Sequence, residues 1–117
     1  MTHKEILLHW IDCFNQKKLE ELLALYDEQA EHYSPKLKLK HPETLGLVKG
    51  KAAFRTWWKE AFDTMPTLNY KLNYSIIEGD RIFFEYLRTV EGQENMIVGE
   101  CFVIKNEKII SSKVFHS

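Results

Sequence analysis

The stretch that decides the fold is RIFFEYLRTVEGQENMIVGECFVIK, residues 81–105. It contains two runs rich in β-branched and aromatic residues, and the EGQE between them is typical of a tight turn. Similar runs lie at 68–78 and 108–116, joined to the central pair by EGD and NE. Four such runs separated by short turns predict an antiparallel meander of four strands.

The half of the chain that precedes this meander is patterned for helices. The T-x-x-E spacing at residues 2–5 predicts a capped helix start, and apolar residues at helical spacing follow it. A second helix is expected to end near Gln29, and a third should run from Gly50 to Pro66. The run KLKLK, residues 36–40, is expected to form a small solvated edge strand. Helices followed by strands predict an α+β fold in which three N-terminal helices pack on a curved, mainly antiparallel sheet.

Length and composition limit the classes of protein that this chain can be. Its 117 residues suffice for one core, so residues 1–117 are expected to form a single domain. A net charge of −1 provides no basic surface, so neither nucleic acid nor a membrane is expected as a partner. Cys13 and Cys101 form no CxxC pair, so neither a disulfide framework nor a zinc site is indicated. The N-terminus lacks a signal-peptide pattern, and the apolar runs are too short to span a bilayer. A cytoplasmic protein is expected.

Three stretches together are similar to a known superfamily. They are FNQKKLEELLALYDEQAEHYSP at 14–35, GKAAFRTWW at 50–58 and GECFVIKNEKIISS at 99–112. In this order the chain resembles the nuclear transport factor 2-like superfamily, in its SnoaL-like and ketosteroid-isomerase-like branches, over essentially its whole length. The resemblance implies a cone-shaped half-barrel. Because the superfamily includes isomerases, cyclases, dehydratases, epoxide hydrolases and non-catalytic binding modules, the fold does not fix the chemistry.

The resemblance to ketosteroid isomerases implies three functional positions. The general base lies just before the proline that follows the second helix, where this chain has Ser34. The tyrosine that donates to the oxyanion lies in the first helix, where this chain has Trp10. The protonated aspartate lies within the third long strand, and the matching residue is Glu100. Since only Glu100 keeps a carboxyl group, steroid-type isomerisation is not expected.

The alternation of side chains along a strand indicates which way Glu100 points. Met96, Val98, Glu100, Phe102 and Ile104 share one face, and this bulkier face is expected to meet the helices. A carboxylate buried there would neutralise or find a partner. Two alternatives stay open: Glu100 forms a buried ion pair with Arg88, or the strand is inverted and Glu100 faces solvent.

The candidate catalytic residues are Glu100, Arg88, His116 and Tyr86. Glu100 would act as general acid or base with a pKa set by burial and by Arg88, and His116 or His32 would shuttle the proton. Tyr86 would donate to a developing oxyanion. The candidate ligand-binding residues are Trp10, Phe14, His32, Ser34, Phe54, Trp58, Phe84, Phe102 and Ser112. A few polar groups in an aromatic cone predict a small-molecule site.

The expected ligand is a small apolar or carbonyl-containing metabolite, and the expected chemistry is acid–base isomerisation, cyclisation or dehydration. The alternative is a non-catalytic ligand-binding or dimerisation module. A third interpretation, an epoxide-hydrolase-like enzyme, requires two carboxylates beside Arg88, and only Glu100 is evident. No cofactor motif or spaced set of metal ligands is present, so neither group is expected. Apolar residues such as Ile97 and Val103 on the outer sheet face predict a homodimer through that face.

Overall fold

The structure is a computed structural model that describes residues 1–115. The helices are α1 (His3–Gln16), α2 (Leu19–Ala24), α3 (Pro35–Lys40) and α4 (Lys51–Thr64), and a short 3₁₀ turn spans Pro42–Thr44. The strands are β1 (Tyr26–Tyr33), β2 (Leu47–Lys49), β3 (Asn69–Glu78), β4 (Arg81–Thr89), β5 (Met96–Lys105) and β6 (Lys108–Phe115). Within these residues, no helix is both long enough and apolar enough to cross a membrane.

The six strands form one open sheet in the order β2-β1-β6-β5-β4-β3. Every neighbouring pair is antiparallel except β1 and β6, which are parallel. The helices cover one face and bury an apolar core against it. The predicted α+β fold, a cone-shaped half-barrel with helices on a curved, mainly antiparallel sheet, is confirmed, as is the four-strand meander.

Both predicted helix starts are present for the predicted reasons. At α1, Thr2 Oγ1 accepts from the Glu5 amide at 3.1 Å, and Glu5 Oε1 accepts from the Thr2 amide at 2.8 Å, which completes a capping box. Gly50 precedes α4 with a φ of 83°, a left-handed conformation that glycine adopts without a steric penalty.

Two predictions for the first half of the chain were wrong. The second helix ends at Ala24 rather than near Gln29, because Tyr26–Tyr33 pairs with β6 and β2. Pairing on both sides outweighs the helix propensity of Glu28, Gln29, Ala30 and Glu31. The KLKLK run is the helix α3, not an edge strand, because Ser34 caps it and Pro35 occupies its first turn. The sheet edge nearest α3 in sequence is formed by β2, and the described residues include a fourth, short α-helix.

The predicted orientation of β5 is confirmed by burial, and β4 beside it shows the same alternation. Their buried residues alternate, and the register places Phe84 opposite Glu100 and Tyr86 opposite Val98. Glu100 is 1% exposed and lies on the helix-covered face. The alternative in which Glu100 faces solvent is therefore wrong.

Candidate ligand-binding cavity

A cavity of about 100 Å³ lies between the helices and the inner face of the sheet. Aromatic side chains form much of its wall, namely Trp10 and Phe14 of α1, Trp57 and Trp58 of α4, and Tyr70 of β3. The cavity adjoins an outer groove of about 450 Å³ along α3 and α4. The residues that line both spaces, here called the mouth, are Lys36, Trp57, Ala61, Met65 and Arg88.

The indole of Trp10 organises the aromatic wall. Its ring centroid lies 4.5 Å from that of Phe14 and 5.3 Å from those of Phe84 and Phe102, distances typical of packed aromatic pairs. Its Nε1 donates to the buried hydroxyl of Tyr26 at 2.9 Å. Because both the ring and its polar atom are held, this wall is fixed by packing and does not depend on a ligand for its shape.

Glu100 is the acidic group of the cavity. Its Oε1 accepts a hydrogen bond from the Tyr86 hydroxyl at 3.0 Å. Its Oε2 is buried and has no hydrogen-bond partner within residues 1–115. Burial raises the pKa of this carboxyl from 4.5 to about 8, and the hydrogen bond from Tyr86 opposes the rise only in part. At neutral pH Glu100 is therefore mainly protonated and carries an O–H that it can donate.

Tyr86 holds the carboxyl in place. Burial, together with the charge of Glu100, raises the pKa of Tyr86 well above 10, so the phenol keeps its proton. The ring of Tyr70 packs against that of Tyr86 with centroids 4.4 Å apart. The phenol is thus a fixed donor to one oxygen of Glu100 and leaves the other oxygen free.

Arg88 lies on the same face as Glu100 but far along it. Arg88 is opposite Met96, whereas Glu100 is opposite Phe84, and no bulge interrupts this register. Four residues of strand separate the two positions, a distance of about 13 Å at ~3.3 Å per residue. The Arg88 guanidinium instead donates to Gln93 Oε1 at 3.1 Å and lies 3.1 Å from Met65 Sδ. The alternative of a buried Arg88–Glu100 ion pair is therefore wrong.

The polar groups His32 and Ser34 of the lining are uncharged. His32 Nδ1 and Ser112 Oγ are 2.6 Å apart, and burial lowers the pKa of His32 from 6.5 to about 4, so the ring is uncharged at neutral pH. Ser34 lines the cavity, and its Oγ accepts from the Leu37 amide at 3.4 Å as the cap of α3. His116, a candidate proton shuttle, lies outside the described residues.

The structure brings most of the candidate residues to one cavity. Those that line it are Trp10, Phe14, His32, Ser34, Trp58, Tyr86, Arg88 and Glu100. Four others are buried behind the lining: Phe84 and Phe102 pack on Trp10, Phe54 packs on Tyr26, and Ser112 contacts His32.

Sequence reasoning missed three lining residues that matter for the chemistry: Lys36, Trp57 and Tyr70. Lys36 was missed because its segment was predicted as a solvated strand. Trp57 was missed although the adjacent Trp58 was a candidate, and both line the cavity. The alternation of side chains along β3 was the available signal for Tyr70.

One group of potential metal ligands lies away from the cavity lining. Atoms of His9, Cys13 and Glu21 come within 4.8 Å of one another where α1 meets α2. Burial, reinforced by the charges of Glu21 and Asp12, raises the pKa of the Cys13 thiol to about 11. Metal ions bind the thiolate, so the electrostatics of this cluster oppose the form that an ion would need.

Residues 7–112 match the family model of the SnoaL-like domain. No functionally curated protein matches the sequence significantly. Solved structures do match along the whole chain. A SnoaL-like protein of unknown function from Burkholderia thailandensis is 21% identical with a TM-score of 0.86, and the match covers 99% of this chain and 97% of that chain.

Two further solved structures are similar at 14% identity. A proposed polyketide cyclase from Sinorhizobium meliloti has a TM-score of 0.81, with 95% of this chain and 94% of that chain covered. A protein with a ketosteroid isomerase-like fold from Catenulispora acidiphila, solved in complex with trimethylamine, has a TM-score of 0.80, with 99% and 88% covered. These likenesses establish the fold of this chain.

Proposed function

We propose that this chain, which belongs to the SnoaL-like domain family, binds a small carbonyl-containing metabolite in its aromatic cavity and donates a hydrogen bond from Glu100 to the carbonyl oxygen. The observation that carries the proposal is the Oε2 atom of Glu100, which is buried in the cavity with no partner in residues 1–115. A buried polar group without a partner costs about 1–3 kcal/mol, and a ligand oxygen would recover it.

A carbonyl suits this position because of the state of the acid. A mainly protonated carboxyl in an apolar site acts as a hydrogen-bond donor rather than as a charge. Tyr86 fixes the other carboxyl oxygen, so the donor is oriented before a ligand arrives. A donor of this kind stabilises the negative charge that develops on the oxygen when a carbonyl compound enolises.

In isomerisation, cyclisation or dehydration, Glu100 would serve as the general acid. The candidate general base is weak, because His32 is the remaining proton acceptor of the lining and its pKa is about 4. Within the described residues, no second carboxylate lines the cavity. That observation favours a second candidate function, in which the chain binds its ligand without turnover. It also argues against epoxide hydrolysis, which needs carboxylates beside Arg88.

Two readouts on one set of variants test the proposal. Tryptophan fluorescence reports binding of acetophenone, because all three tryptophans of the chain line the cavity. Deuterium incorporation into the methyl group of acetophenone, measured by NMR in heavy water, reports enolisation. Glu100→Gln can still donate a hydrogen bond but cannot supply a proton, whereas Glu100→Leu can do neither. The matched control is Glu85→Gln, at a position whose carboxylate accepts from Asn73 Nδ2 away from the cavity lining.

We expect binding to be lost in Glu100→Leu and retained in Glu100→Gln and Glu85→Gln. Deuterium exchange in the wild type that disappears in both Glu100 variants supports catalysis. Binding without exchange supports the second candidate. Binding that is unchanged in Glu100→Leu would contradict the proposed role of Glu100 in either case.

We also propose that the outer sheet face joins two copies of the chain. Ile97 is 51% exposed on this face, and Ile76, Tyr74 and Phe115 are exposed beside it. These residues lie on β3, β5 and β6, and the half-buried Phe83 and Leu87 of β4 lie on the same face between β3 and β5. An exposed apolar face of this kind on a protein surface usually marks an interface.

A further inference from the structure

We propose that the mouth of the cavity is an anion-binding subsite formed by Arg88 and Lys36, and that the ligand carries a carboxylate at the end opposite its carbonyl. The site of the ligand carbonyl rests on the proposed function. The site of the ligand carboxylate rests on different residues and on different observations. The two ends can therefore be tested separately.

Arg88 is a buried cation without an anionic partner. It is 6% exposed, and its two contacts, Gln93 Oε1 and Met65 Sδ, are both uncharged. None of the ion pairs within residues 1–115 includes it. A guanidinium is seldom buried unless it is paired, because the cost of removing it from water must be offset. The missing partner is supplied if a ligand places an anion at this point.

Lys36 adds a second positive charge at the same place. It lines both the cavity and the groove beside Arg88. Burial and then the charge of Arg88 lower the pKa of Lys36, so the two cations repel each other. Glu60 also lines the groove, but it forms no ion pair with either cation within the described residues. The mouth therefore carries a net positive charge that a carboxylate would neutralise.

The positions of the two ends define the shape of the ligand. Glu100 and Arg88 line the same cavity, and Arg88 marks where it meets the groove. Their backbone positions are about 13 Å apart along the sheet at ~3.3 Å per residue, and both side chains extend from these positions to the cavity. A flat, rod-shaped keto acid would place its carbonyl at Glu100, its apolar body between the aromatic rings, and its carboxylate at the mouth. A bidentate guanidinium is well suited to that carboxylate.

A matched pair of probes tests the anion subsite. 4-Acetylbenzoate and 4-acetylbenzamide have the same shape and the same ketone, and they differ in charge. Their affinities are measured by tryptophan fluorescence for the wild type, Arg88→Gln and Lys36→Gln. Arg81→Gln is the control, because Arg81 lies at the exposed end of the same strand.

We expect the wild type and Arg81→Gln to bind the benzoate about tenfold more tightly than the amide, a difference of ~1.4 kcal/mol. Arg88→Gln and Lys36→Gln should reduce this preference while the affinity for the amide stays unchanged, which also shows that the cavity is intact. Added salt should weaken binding of the benzoate to the wild type and leave the amide unaffected. If Arg88→Gln does not fold, Lys36→Gln and the salt dependence of benzoate binding test whether the mouth binds an anion.

The subsite is overturned if the wild type binds both probes equally, or if the preference survives in every variant that folds. A preference that is lost in Arg88→Gln, together with affinities for both probes that are unchanged in Glu100→Leu, would support the subsite and contradict the proposed carbonyl site. Binding of neither probe to the wild type would contradict both.

Discussion

The hydroxyl of Tyr86 donates to Oε1 of Glu100 at 3.0 Å, across two neighbouring strands, while Oε2 has no partner within residues 1–115. The two residues are diagonal neighbours on the inner face, because Tyr86 is opposite Val98 and Glu100 is opposite Phe84. One oxygen of the carboxyl is therefore held by the sheet, and the other is presented to the cavity.

The stability of the fold should fall as the pH rises from about 6.5 to about 8. Glu100 has its pKa raised from 4.5 to about 8, so between these values the folded state keeps a proton that the unfolded state has lost. The free energy of unfolding then decreases by at most ~1.4 kcal/mol per pH unit. His32, whose pKa is lowered from 6.5 to about 4, has the opposite effect below pH 6.5. Above that pH, His32 no longer opposes the effect of Glu100.

Urea denaturation across this range measures the slope. Glu100→Gln should flatten it, whereas Glu85→Gln should leave it in place. A slope that is the same in the wild type and in Glu100→Gln would show that Glu100 does not titrate there.

Tyr86→Phe should raise the pKa of Glu100 beyond about 8. The hydrogen bond from Tyr86 is the contact that favours the ionised carboxyl, and the substitution removes it without changing the ring. A carbon-13 NMR titration of labelled glutamate carboxyls measures the shift. Tyr74→Phe, on the exposed outer face, serves as the control. A pKa of Glu100 that falls in Tyr86→Phe would contradict the account of this pair.

Trp10→Phe should destabilise the fold by about 1–3 kcal/mol, because it removes the donor to the buried Tyr26 hydroxyl and leaves a gap among packed rings. Trp57→Phe at the half-buried mouth should cost less. Chemical denaturation of both variants gives the comparison. Equal losses in the two variants would mean that Trp10 does not organise the wall.

Ile97→Glu should dissociate the proposed dimer, since it places a charge within the apolar outer face. Leu8→Glu is the control, because Leu8 lies on α1 and is 49% exposed, close to the 51% of Ile97. Sedimentation velocity measures the oligomeric state of the three proteins. A monomeric wild type, or a dimer that persists in Ile97→Glu, would contradict this interface.

The sequence was informative where the local pattern determines the structure. Regular pairing of β4 with β5 turns alternation into burial, so the shared face of Tyr86, Arg88 and Glu100 could be predicted. The alternation of side chains along a strand indicates which face a residue lies on, but not how far apart two residues on that face are. The ion pair between Arg88 and Glu100 was therefore a false alternative, because the two residues share a face but are separated along it. The first part of β1, residues 26–31, could not be predicted as a strand, because its parallel partner β6 lies far away in sequence.

The most direct test of the central claim is a carbon-13 titration of the Glu100 carboxyl, with and without 4-acetylbenzamide. We predict a midpoint near pH 8 for the free protein. Saturation with the ligand should raise the midpoint further, because only the protonated acid can donate to the ligand carbonyl. A midpoint near 4.5, or one that the bound ligand does not move, would contradict the claim that Glu100 is the hydrogen-bond donor of this cavity.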